Sequence, residues 1–213
     1  MKALIFDLDG TLIDSSPSIL AGFRAAFAAC GREPVRPLAP DVIGPPLRET
    51  LALLAGSEDD ALLQRLSAAF KAHYDTEGYR LTTVFAGVAT MLAALAAAGH
   101  PLFIATNKRL HPTRLILAHL GWEKFFTAAY ALDSFAPPAP NKAALLGRIL
   151  AERHFPASTG LYIGDREEDA AAAAANALPF AWATWGYDAT ARAGGDWMRL
   201  DRPGDLVAQL AAC

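Results

Sequence analysis

Residues 3 to 11 read Ala3-Leu4-Ile5-Phe6-Asp7-Leu8-Asp9-Gly10-Thr11, four apolar positions running directly into two carboxylates two residues apart. The apolar run predicts a strand buried on both faces, and the Asp-x-Asp-Gly behind it predicts the loop into which that strand opens. Side chains of a strand alternate faces, so Asp7 and Asp9 are expected to project together, with the small, flexible Gly10 behind them. Two like charges held this close are ordinarily kept where a cation or a shared proton relieves them.

The same pattern recurs along the chain. Apolar runs at Pro101 to Ala105, Thr127 to Ala131, Gly160 to Ile163 and Phe180 to Thr184 read as further buried strands. Between them, helical patterns span about 88 to 98, 110 to 120, 141 to 153 and 166 to 177. Alternating strands and helices predict an α/β core, a Rossmann-like doubly wound parallel sheet. Residues 15 to 80 break the rhythm with three helical patterns: one carries Ile19, Leu20, Phe23 and Phe27 on one face, the others run from Leu47 to Leu54 and from Asp59 to Tyr74. The expected organisation is therefore a catalytic core of residues 1–14 and 81–213 interrupted by an all-helical cap of residues 15–80. Arg32 to Pro46, with five of the fourteen prolines, is expected to be stiff and non-helical.

Composition narrows the function. With 213 residues, 53% hydrophobic and 19% charged, the chain is long enough for one well-buried core plus an insert. A net charge of -3 gives no footprint for nucleic acid or an anionic membrane. The two cysteines, Cys30 and Cys213, form neither a disulfide framework nor a metal pattern. An acidic residue at position 7 comes too early for a signal peptide, and the expected location is the cytoplasm.

Three polar clusters also follow apolar runs: Thr106-Asn107-Lys108, Lys142 at the start of a helix, and Asp165 with Asp169 four residues on. In an open parallel sheet all such strand ends face one edge, where ligands bind. Asp7, Asp9 and Asp165, without a nearby His or Cys pair, suit a hard cation such as Mg²⁺. The Thr106 hydroxyl, loop N–H groups and Lys142 would bind phosphoryl oxygens. One aspartate could then attack phosphorus while its neighbour protonates the leaving oxygen.

Asp7-Leu8-Asp9-Gly10-Thr11, Thr106, Lys142 and Gly164-Asp165-Arg166-Glu167-Glu168-Asp169, in that order, resemble the four motifs of the haloacid dehalogenase-like hydrolases, phosphoglycolate phosphatase-like branch. The resemblance implies a Mg²⁺-dependent phosphatase with Asp7 as nucleophile and Asp9 as general acid/base. It implies that Thr106 and Lys142 hold the phosphoryl group. Asp7, Asp165 and the Asp9 main-chain carbonyl would bind the metal, with Asp169 supporting them from behind. Residues 43–51 resemble that branch's specificity loop, as do Thr106-Asn107-Lys108 and Trp185-Gly186-Tyr187. Asn107 and Arg48 are the expected substrate contacts, Arg48 meeting the carboxylate of a phosphoglycolate-like acid. Arg166 stands where a small hydroxyl residue is usual, and Asn176 where a helix-ending glycine is common.

Pyrophosphatase, 5'-nucleotidase or phosphosugar mutase activity would use the same residues. A binding protein without catalysis would be expected to have lost at least one of them. A haloacid dehalogenase would need neither Asp9 nor a metal, and a dinucleotide enzyme would carry Gly-x-Gly-x-x-Gly after the first strand.

Overall fold

The computed structural model of this protein describes residues 1–188 and 197–212. In chain order its elements are β1 (Ala3–Phe6), β2 (Ile13–Asp14), α1 (Ser16–Ala29), α2 (Leu47–Ala55), α3 (Asp60–Tyr74), β3 (Thr83–Val84) and α4 (Val88–Ala97). There follow β4 (Leu102–Thr106), α5 (Leu110–His119), β5 (Ala128–Ala131), α6 (Lys142–Arg153), β6 (Gly160–Gly164), α7 (Glu167–Ala174), β7 (Phe180–Ala183), β8 (Met198–Leu200) and α8 (Pro203–Ala211).

Six strands form one parallel sheet in the order β5-β4-β1-β6-β7-β8. The strands are apolar throughout because both faces are covered. Leu4, Phe6, Leu102, Ile104, Leu161 and Ile163 point into one core with residues of α4, α5 and α8. Ile5, Phe103, Ala105, Tyr162, Phe180 and Trp182 point into the other, against α6 and α7. The expected doubly wound α/β sheet is thus present, and β1 sits inside it between β4 and β6.

Helices α1, α2 and α3 follow β2 and precede β3, and they enclose an apolar cluster of their own that includes Phe23, Phe27, Leu51, Leu54, Leu66 and Phe70. Local chemistry delimits them. Asp59 accepts from the Ala61 and Leu62 backbone N–H groups at the start of α3, and α2 ends on Gly56 in the left-handed conformation (φ 59). The two chain crossings pair with each other, Ile13 opposite Val84 and Asp14 opposite Thr83. Sequence periodicity does not reveal this two-residue ladder, because two residues carry no period.

Three details depart from expectation. Helix α7 stops at Ala174, not near 177, and the left-handed residue at its end is Ala177 (φ 52), not Asn176. Asn176 instead turns its amide onto the Ala143 and Ala172 carbonyls, tying α7 to α6. Strand β8 and helix α8 extend the sheet beyond the anticipated strands; β8 is three residues long and too short to announce itself.

Candidate active site

Because β4, β1 and β6 are neighbours, the residues leaving their carboxyl ends converge: Thr106, Asp7 and Asp165. All three are buried. Asp7 Oδ2 lies 3.1 Å from Lys142 Nζ, whereas its buried Oδ1 has no partner among the described residues. Lys142, at the first position of α6, also donates to Asp169 Oδ1 at 2.6 Å. Tyr162 donates to that same oxygen at 3.0 Å, and Asp169 Oδ2 accepts from the Asp165 and Arg166 backbone N–H groups. Both oxygens of Asp169 are therefore engaged within the protein. Asp165 is held by Thr11, whose hydroxyl donates to Oδ1 at 3.0 Å, and by the Tyr187 N–H, which donates to Oδ2 at 2.9 Å. Gly10 is required beside it: its φ is +87, and a Cβ there would overlap the Asp165 carboxylate.

Asp9 has its own partners. Ser15 donates a short hydrogen bond to its Oδ1, and Lys108 Nζ lies 3.2 Å from its Oδ2. Asp7 and Asp9 are thus each relieved by a separate lysine, Lys142 and Lys108. Lys108 continues to the hydroxyl of Tyr74 in α3, at 3.1 Å. Its neighbours also reach the helical segment: Asn107 donates to Gly44 O at 3.0 Å, and Arg109 grips Asp75 with two bonds of 2.9 and 2.5 Å. Thr106 Oγ1 accepts from the Lys108 N–H, which braces the same loop.

Electrostatics reflect four carboxylates gathered around two ammonium groups. Burial, only partly offset by Lys142 and reinforced by the charges of Asp169, Asp165 and Asp9, pushes the Asp7 carboxyl up to about 8. Burial and the Asp169 charge raise Asp165 to about 6, against the pull of the Tyr187 N–H, Arg166 and Thr11. Lys108 and Lys142 are raised as well, which for a lysine favours the charged form. Burial would lower both, but Asp9 for Lys108, and Asp169 and Asp7 for Lys142, hold them charged well above the ordinary lysine range.

Such a site lacks positive charge, and the donor set fits a hard divalent cation. Oxygens of Asp7, Asp165 and Asp169 lie within 4.8 Å of one another, and Asp7 Oδ1 is an unsatisfied buried acceptor among them. Asp169, with four donors already on its oxygens, is suited to supporting Lys142 and the loop after β6 more than to direct coordination.

One expected site residue is not brought to this cluster. Arg48 is exposed on α2 and pairs with Asp60 at 2.5 Å, away from the strand-end cluster. Thr50, Leu51 and Leu54 form the buried face of α2, and Arg48 stands at the flank of that face, in solvent. Arg166 packs against Gly44 and lies over the Tyr187 ring, 5.7 Å from its centroid, with its Nε buried and unpartnered. Sequence reasoning placed Lys108 and Tyr187 only within segments resembling specificity loops, and it gave no individual role to Thr11, Ser15 or Tyr162. Only Lys108 offered a signal, since a second strand-end carboxylate calls for a second cation and Lys108 was already in the loop after β4.

The sequence profile of the haloacid dehalogenase-like hydrolases matches residues 4–183. The tyrosine-protein kinase PtkA of Mycobacterium tuberculosis strain H37Rv is 34% identical over 189 residues, 87% of this chain. The chain spans 63% of that relative's length. A phosphoglycolate phosphatase of Xylella fastidiosa strain 9a5c is 38% identical over 189 residues, covering 87% of this chain and 81% of the relative. Among solved structures, a haloacid dehalogenase-like family protein of Streptococcus pneumoniae superposes with a TM-score of 0.84 at 24% identity, over 99% of this chain and 98% of its own. The M. tuberculosis PtkA structure gives 0.78 at 30% identity, over 98% of each chain.

Proposed function

Because this chain belongs to the haloacid dehalogenase-like hydrolases, we propose that it is a Mg²⁺-dependent phosphatase of small phosphorylated metabolites, acting in the cytoplasm. The observation that carries this reading is Asp7: a buried carboxylate at the end of β1 with Lys142 on one oxygen and nothing on the other. An unengaged oxygen beside a fixed cation is what an attacking nucleophile needs.

In the proposed reaction an Asp7 oxygen attacks phosphorus, the bond from phosphorus to the substrate oxygen breaks, and Asp9 gives its proton to that leaving oxygen. Water then attacks the aspartyl-phosphate as Asp9 takes a proton from it, the bond from phosphorus to the Asp7 oxygen breaks, and phosphate leaves with Asp7 restored. Lys142 and the Thr106 hydroxyl hold the phosphoryl oxygens. Asp7, Asp165 and the Asp9 main-chain carbonyl would hold Mg²⁺, which when bound supplies charge neutralisation of the phosphoryl group. Asp169 keeps Lys142 and the β6 loop in place.

Residues 15–80 act in this reading as a lid that excludes water. The contacts of Asn107, Lys108 and Arg109 with Gly44, Tyr74 and Asp75 support that role, since one loop both borders the site and holds the helical segment. Phosphoglycolate, the substrate in the name of the Xylella relative, is the first compound to assay. A panel of phosphomonoesters should release phosphate with Mg²⁺ and lose nearly all of that release with EDTA. Absence of phosphate release from every member would overturn the assignment.

A further inference from the structure

A cleft of about 70 Å³, or about 530 Å³ with the open solvent at its mouth, lies between the loop after β4 and the helical segment. Of the four clustered carboxylates, Asp9 is the one that lines it. If Asp9 protonates the leaving oxygen, as the phosphatase reading on which this inference rests requires, the alcohol portion of the substrate lies in this space.

The walls are apolar. Ile19, Phe23, Val42, Ile43, Leu47 and Phe70 form them, and Phe23 meets Phe70 with ring centroids 4.9 Å apart. The cations at the rim are already committed: Lys108 lies between Asp9 and Tyr74, and Arg109 is bound bidentately to Asp75. Among the described residues, Asn107 Oδ1 is a buried lining-residue atom without a partner, and it is an acceptor, so it offers a carboxylate no donor. Its orientation is set by the Asn107 amide N–H group, which donates to Gly44 O and Glu168. Arg166, whose Nε is unpartnered, does not line the cavity. A glycolate carboxylate placed here would have to draw Lys108 away from Asp9 and Tyr74, whereas an aromatic or branched aliphatic group would exchange water for Phe23, Phe70 and Ile43 without disturbing that lysine.

We propose that the substrate is a phosphomonoester of an apolar alcohol, aromatic or branched aliphatic, seated against Ile19, Phe23, Ile43 and Phe70. Benzyl phosphate and phosphoglycolate test this, because both are alkyl esters and neither is chemically activated. With Mg²⁺ present, kcat/KM for benzyl phosphate should exceed that for phosphoglycolate by at least about tenfold, the discrimination expected from filling an apolar pocket against an unmatched carboxylate. Ile43→Lys, which adds an uncommitted cation to the wall, should reduce or reverse that ratio through KM, provided that its circular dichroism and thermal unfolding stay native-like. The conservative Phe70→Leu should lower the ratio of kcat/KM for benzyl phosphate to that for phosphoglycolate severalfold, and it serves if Ile43→Lys does not fold. A wild-type preference for phosphoglycolate, above all one abolished by Arg166→Ala, would overturn the proposal and leave the phosphatase reading intact. Release from neither ester, nor from any other, would instead sink the phosphatase reading.

Discussion

The strand-end cluster and the wall of the helical segment face the same small space, and they are built on opposite terms. At the strand ends nearly every polar atom is tied to another, and the chief exception is Asp7 Oδ1. Across the gap, Phe23, Ile43 and Phe70 present surface with no hydrogen-bonding capacity. Charge is held rigidly where bonds would be made and broken, and apolar surface lies where only fit is required. Rate should therefore depend on single atoms of the first region, while selectivity depends on the volume and polarity of the second.

The sharpest way to break this contrast is Asp7→Asn, which keeps the shape and removes the attacking charge. Turnover should fall by at least about a thousandfold with thermal stability maintained or raised, because a buried, partly uncompensated carboxylate is gone. Substantial residual turnover in a clean preparation would end the covalent mechanism.

Asp9→Asn should follow at about a hundredfold on alkyl esters, with a smaller loss on an aryl phosphate whose leaving group needs no proton. Equal losses on both ester types would remove Asp9 from acid/base duty and reassign it to holding Lys108.

A third measurement concerns stability. In the metal-free protein Asp7 and Asp165 have their carboxyls raised from 3.8 to about 8 and about 6, so the folded state retains protons that the unfolded chain has already released. The sign follows: folding is least penalised below about pH 4, and each group costs up to about 1.4 kcal/mol per pH unit on the way up to its folded pKa. Thermal unfolding of Mg²⁺-free protein should move to lower temperature between pH 5 and pH 8, and saturating Mg²⁺ should shrink that drop. A midpoint that stays level or rises over this range without metal would mean that the two lysines already balance the cluster.

The smallest effect is expected at Arg48. Its pair with Asp60 is exposed, and such pairs contribute about 0 to 1 kcal/mol. Arg48→Ala should change kcat/KM by less than about twofold on any ester. A tenfold loss confined to carboxylate-bearing substrates would restore it to the site and undo the division between the two regions.

The alternation of apolar runs with helical patterns was enough to establish the sheet, since a strand buried on both faces must be apolar at every position. It also brought Asp7, Thr106 and Asp165 to one edge, because parallel strands all end on the same side. Such features repeat along the chain or follow from topology, so local composition carries them. Lys142, at the start of α6, was legible only from its order in the motif series, since a lysine on a helix is ordinarily a solvated charge. The partners of Asp9, the grip of Arg109 on Asp75, the outward turn of Arg48 and the apolar face of the cavity were decided only in three dimensions. Each depends on the rotation of a helix about its axis or on two segments tens of residues apart meeting within a few ångströms. Periodicity specifies which residues share a face, but packing alone decides what that face meets.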